Sequence, residues 1–166
     1  MKVVKIPSYA IAISRELKTC SFTNVNLACT ICLGHRESMR GFFLCNFAGI
    51  FTSFHAAGLV DRSVFRRIAL KKRLEPVPFW IANFCIHILP FVLMGLHTYR
   101  VSRWDGILSA LFHLLWGFCV SPSSASKDLF NLNDVYVALD AKAWKKLWCV
   151  ALSTEVLFPY LWNLEL

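Results

Sequence analysis

Three ionisable side chains stand near the middle of long apolar stretches: His87 within 77–99 (VPFWIANFCIHILPFVLMGLHTY), His113 within 104–120 (WDGILSALFHLLWGFCV) and Glu155 within 146–163 (KLWCVALSTEVLFPYLWN). If each stretch is a helix rising about 1.5 Å per residue, all three reach a similar depth. Ionisable groups are costly in hydrocarbon, so they turn toward the interior of a bundle and are candidates for function. Two histidines on different helices suit the axial positions of a haem. Two histidines and a glutamate suit a metal with an open coordination position. A His/Glu chain suits proton relay, and a Ser or Thr beside a His suits acyl transfer. Asn83, Ser109, Ser153 and Thr154 lie close enough in sequence to join any of these. The spacing does not separate these chemistries. The same residues also serve as plain interhelical hydrogen bonds, each worth about 1 kcal/mol or less. That structural role is the expected one, with no cofactor.

A second constellation is CTICLGH at 29–35, which sets Cys29, Cys32 and His35 close together. Covalent haem attachment needs the histidine directly after the second cysteine, and here Leu33 and Gly34 intervene. Cys20, the nearest further ligand for zinc, points away from Cys29 on a continuous helix. Thioredoxin-like redox chemistry needs a strand followed by a helix. The expectation is therefore structural cysteines, with metal binding or redox pairing by Cys29, Cys32 and His35 as the alternatives. Seven cysteines in all, mostly inside apolar runs, read as small buried hydrophobes.

The third is RSVFRRIALKKR at 62–73, where Arg62, Arg66, Arg67, Lys71, Lys72 and Arg73 alternate with apolar residues. Such a segment can lie in the headgroup layer of a membrane, its cations attracted by anionic lipids. Val64, Phe65, Ile68, Ala69 and Leu70 are then expected to form a membrane-facing stripe. Nucleic acid is not an expected partner, because no recognised binding module surrounds the segment.

The elements that position these residues follow from composition. Of the 166 residues, 57% are hydrophobic and 17% charged, and the net charge is +8. Soluble domains carry roughly 45–50% apolar and about 25% charged residues. A spanning helix needs about 20 mostly apolar residues. Segments 41–60, 77–99, 104–120 and 146–163 fit that description, and 17–34, interrupted by Asn24 and Asn26, is a fifth and more polar candidate. The expected fold is all-α: a polytopic helical membrane bundle of four or five transmembrane helices. Residues 1–40 form an N-terminal segment that includes the 17–34 candidate, and 41–166 form the transmembrane domain. In the N-terminal sequence Lys5 and Pro7 break the apolar run, which argues against a cleaved signal peptide.

Lysine and arginine concentrate in the connections 61–76 and 121–146, and the 100–103 connection holds only Arg100 and Arg103. The positive-inside rule then places 61–76 and 121–146 on one side of the membrane and 100–103 on the other. The charge rule favours five crossings, because a fifth moves Lys2, Lys5, Arg15 and Lys18 inside. Hydropathy favours four.

Gly41, Cys45, Gly49, Ser53 and Ala57 recur at regular fours, and Gly106, Ala110, His113 and Gly117 share a face. Small residues so placed let helix backbones approach closely. Phe42, Phe43, Phe47 and Phe54 lie mainly elsewhere on the same cylinder, free to face lipid or fill gaps. Pro90 is expected to kink the 77–99 helix. Taken together, the sequence suggests a non-catalytic structural or accessory component of a membrane assembly, with lipid and other membrane subunits as partners. The competing reading is an intramembrane enzyme, cofactor holder or proton/ion transporter built on His87, His113 and Glu155.

Overall fold

The computed structural model describes residues 22–34, 36–60, 62–71, 75–98, 100–120 and 141–164. Among these residues all regular structure is helical and no strand occurs. We number the helices α1 (Phe22–Leu33), α2 (Glu37–Val60), α3 (Val64–Lys71), α4 (Pro76–Leu96), α5 (Arg103–Val120) and α6 (Ala141–Trp162).

Local chemistry sets the boundaries. The α1 helix closes at Gly34, whose N–H donates to Thr30 O at 2.7 Å. Glu37 lies in the first turn of α2, where a negative charge suits the N-terminal end of the helix dipole. Pro76 and Pro78 open α4, where a missing N–H costs nothing. At the start of α5 the Asp105 carboxylate accepts the Ser102 N–H at 2.8 Å, and Ser102 Oγ accepts the Trp104 N–H at 3.0 Å.

Pro90 is accommodated by a widened turn. Residues Phe84–Ile88 form one π-helical turn, and the Leu89 N–H reaches back five residues to Phe84 O. The packing phase of α4 explains why the turn widens there. Ala82, Ile86, Pro90 and Met94 are buried at regular fours. In a pure α-helix such a row drifts about 40° per step. One π turn takes up part of that drift and keeps the row facing the bundle.

Side-chain contacts give the helix directions. Gly49 faces Glu155, Thr52 bonds Thr154 and Ala57 packs with Leu147, so α2 and α6 are antiparallel. Phe54 stacks on His87 and Phe51 on Phe91, so α2 and α4 are antiparallel. Gly106 faces Pro159, and Val101 bonds Asn163 through both its N–H and its C=O, so α5 and α6 are antiparallel. Hence α2, α4, α5 and α6 alternate in direction, and the C-terminal ends of α2 and α5 fall at one end of the bundle with the N-terminal ends of α4 and α6. At the opposite end Arg40 donates to Gly34 O at 3.4 Å and to His97 O at 3.3 Å, tying three chain segments together.

The principal core joins Phe43, Leu44, Cys45, Phe47, Ile50, Met94 and Val101. Phe43 and Phe47, which on sequence were free to face lipid or fill gaps, are buried there. Two helices, α2 and α4, are long and apolar enough to cross a membrane. The stretches 104–120 and 146–163 do not reach that measure. Arg103 and Asp105 start the first, and the second begins at Lys146 and contains Glu155. The described helix within 17–34 has 12 residues, about 18 Å of rise and well short of a span.

Candidate functional site: a buried polar pair

The three ionisable residues of the apolar stretches do not form one cluster. Glu155 and His113 meet directly, with Glu155 Oε1 and His113 Nδ1 2.7 Å apart. Either the Nδ1–H donates to the carboxylate or a protonated carboxyl donates to Nδ1; both arrangements keep one proton between the two groups. The site is sealed, with Glu155 0% and His113 6% exposed. His87 serves another interface. Its ring lies over Phe54 between α4 and α2, with centroids 4.4 Å apart and planes within 16°. It sits inside the π turn, and Asn83, just before that turn, donates to Phe79 O of its own helix at 2.8 Å.

The pair is built by three helices. The α2 helix contributes Gly49, where even a methyl group would overlap the Glu155 carboxyl. The α5 helix contributes His113 and, one turn earlier, fully buried Ser109, which sits against the same carboxyl. Glu155 Oε2 makes no regular hydrogen bond among the described residues, which leaves Ser109 as the neighbour positioned to serve it. The α6 helix contributes Glu155 itself and Trp148, whose ring meets the His113 imidazole edge-on at 5.9 Å. Cys45, one turn before Gly49, is buried in the adjoining core.

Pro159 shapes the same contact from the backbone. Lacking an N–H, it leaves the carbonyl of Glu155 without its helical donor. That carbonyl lies against Gly106 of α5, where a Cβ would collide with it and with the Pro159 ring. Gly106 thus brings the α5 backbone to the point where α6 is unsatisfied, a geometry suited to a Cα–H···O contact. A second polar link lies near the pair: the Thr52 hydroxyl donates to Thr154 Oγ1 at 3.0 Å, and Thr154 donates to Val150 O at 2.9 Å. Ser153 is exposed on the other side of α6.

Sequence reasoning placed His113 and Glu155 in one set with His87 and marked the small-residue stripes, but it did not single out the pair or connect it to the stripes. Gly49 and Gly106 are the recess in which Glu155 sits, and the regular fours carried that signal. Nothing marked Pro159 as a partner of Gly106, because the pairing joins residues of different helices.

The other candidates are placed as follows. Cys29 is half-buried against the principal core and Cys32 is exposed, so the two point in different directions. His35 lies outside the described residues. No group of three or more His, Cys, Asp or Glu side chains that could hold a metal occurs among the described residues. In α3, Val64 and Phe65 turn into the bundle rather than toward a membrane. Val64 packs with Ala57 and Leu147, and Phe65 lies against Gly58, Phe54 and Trp80. Arg62, Arg66 and Arg67 are exposed, Lys71 closes the helix, and Lys72 and Arg73 fall outside the described residues. No family model, curated protein sequence or solved structure matches the chain.

Proposed function

We propose that the chain is a multi-pass integral membrane protein, with α2, α4, α5 and α6 crossing the bilayer, and that it acts as a non-catalytic structural or accessory component of a membrane assembly. The observation that carries this reading is the distribution of polarity. Asn26, Asn46, Ser109, His113 and Glu155 are buried, whereas Trp80, Ile81, Phe84, Val92, Leu93 and Leu96 of α4 are exposed. Leu108, Leu111 and Leu115 of α5 and Leu157, Tyr160 and Leu161 of α6 continue the exposed apolar surface. Water penalises such a surface and lipid does not. Burying α5 and α6 against α2 shelters Glu155, which neither helix could carry alone through hydrocarbon. Exposed Trp80, Trp104 and Tyr160 suit the bilayer boundary or a neighbouring subunit.

Labelling tests the topology. In a chain whose seven native cysteines are replaced, Glu75→Cys and Arg100→Cys flank α4. A membrane-impermeant thiol reagent should reach them from opposite sides. Labelling of both from one side, or release of the protein by alkaline carbonate, overturns the reading. Purification in mild detergent tests the role: a component elutes with stoichiometric membrane partners, and His113→Ala weakens that assembly only modestly.

One observation favours a second reading, in which the pair handles protons. Glu155 Oε2 is buried without a regular hydrogen bond, as in a site that exchanges a proton. Reconstituted vesicles would then show a proton flux that Glu155→Gln abolishes. A stable complex with no such flux supports the first reading.

A further inference from the structure

We propose that α3 is a rigid cationic strap that binds the phosphate groups of anionic lipids in the headgroup layer. This inference rests on the membrane reading above and adds which lipids the protein selects and how. The helix is only 8 residues long, yet it is fixed in place. Val64 is fully buried, and Phe65 fits the recess above Gly58 with its ring against those of Phe54 and Trp80, centroids 4.8 Å and 5.3 Å away. Val64 and Phe65 are therefore taken up by the bundle, whereas Leu70 is exposed. The cations face outward too: Arg62, Arg66 and Arg67 are all exposed. Arg67 is further braced by donating from Nη1 to Ser63 Oγ at 2.6 Å.

The neighbouring surface gives the depth. Trp80, against which Phe65 packs, is exposed, and Ile81 and Phe84 continue the exposed apolar surface along α4. An exposed tryptophan at the end of an apolar face suits the boundary between acyl chains and headgroups. The α3 helix lies at that end, so its arginines stand at the level of lipid phosphates. Exposed Lys146, at the start of the apolar stretch of α6, adds a cation at the same end of the bundle. Guanidinium groups pair with phosphate through forked hydrogen bonds. With Val64 and Phe65 already occupied, α3 engages the membrane chiefly through its arginines, and its contribution is sensitive to salt and to headgroup type.

The test uses the full-length protein reconstituted into bilayers of phosphatidylcholine with a minor fraction of spin-labelled phosphatidic acid or spin-labelled phosphatidylcholine. The motionally restricted fraction of each lipid gives the relative affinity. The wild type should prefer phosphatidic acid several-fold. The preference should fall toward one in the R62Q/R66Q/R67Q variant, with each single substitution removing part of it. It should also fall with salt and stay unchanged in R103Q, which removes an exposed arginine from the opposite end. Equal affinities in the wild type, a preference that survives in the triple variant, or an equal loss in R103Q overturns the proposal. Should the triple variant fail to reconstitute, the single variants R62Q and R66Q decide in the same way. A protein that does not enter bilayers at all refutes the membrane reading instead, so the two failures are distinguishable.

Discussion

At the scale of single residues, the contact between Glu155 and His113 makes a sharp energetic prediction. Interhelical hydrogen bonds inside membranes are weak because separated helices find other partners. A double-mutant cycle on His113→Ala and Glu155→Ala should therefore give a coupling of about 1 kcal/mol, read from unfolding in mixed micelles. The glycines provide a stronger contrast. A Cβ at Gly49 overlaps the Glu155 carboxyl, whereas one at Gly95 makes ordinary contact with the Trp162 ring at 3.4 Å. Gly49→Ala should cost about 1–3 kcal/mol, as overpacked sites do. Gly95→Ala should stay within about 0.5 kcal/mol of the wild type. Comparing the two thermal midpoints checks this without reference to function. The sequence exposed both halves of the Glu155 contact, a lone carboxylate in an apolar run and a row of small residues at regular fours. It could not join them, since the register between α2 and α6 is set by packing across more than a hundred residues. His87 reads the same as His113 in sequence, and only the assignment of faces sends it to Phe54 instead.

At the scale of elements, α4 shows how a local irregularity preserves a global face. Pro90 foretold a disturbance, and the structure places it just upstream, as the π turn at Phe84–Ile88. A pure α-helix would rotate Met94 progressively away from the bundle while Phe79 stayed in it. A π turn absorbs one extra residue, so deleting Cys85 should convert it to regular α-helix and leave the segment after it in the same phase. Phe91 and Met94 should then keep their places at the principal core with little change in melting temperature, whereas deleting Val92 from the regular part of α4 should turn Met94 away and lower the melting temperature by several degrees. The helix boundaries themselves were legible. Pro76 and Pro78, the Gly34 stop and the run of 41–60 all announce their roles through backbone chemistry. The fate of α3 was half legible. Its cations were evident from composition, but the direction of its apolar side depended on Gly58 leaving room for Phe65. Accordingly Gly58→Leu should unseat α3 and make an introduced cysteine at Val64 reactive toward thiol reagents.

At the scale of the whole molecule, alternation of four helix directions gathers the C-terminal ends of α2 and α5 at one end with the N-terminal ends of α4 and α6. Apolar periodicity alone did not distinguish the helices that qualify as spans by themselves from those that do not. The difference lies in where the charges fall: α2 and α4 keep them at or beyond their ends, whereas the 146–163 stretch of α6 holds Glu155 at its centre. Gly106→Leu should consequently disturb more than one joint, since it separates α5 from the Glu155 carbonyl and from the Pro159 ring together. Size-exclusion profiles in detergent should show a broadened or aggregated species for that variant.

On the membrane reading proposed above, the juxtaposition of Gly106 with the Glu155 carbonyl bears on how the chain would enter a bilayer during synthesis. Neither α5 nor α6 is a self-sufficient passenger: one is short and begins with charge, and the other carries a carboxyl and an open backbone acceptor. Each hides what the other cannot expose to hydrocarbon, so the pair is expected to be released from the insertion machinery as a closed hairpin onto α2. Premature parting of that hairpin would strand both groups in oil, giving quality control a clear marker of a misassembled chain.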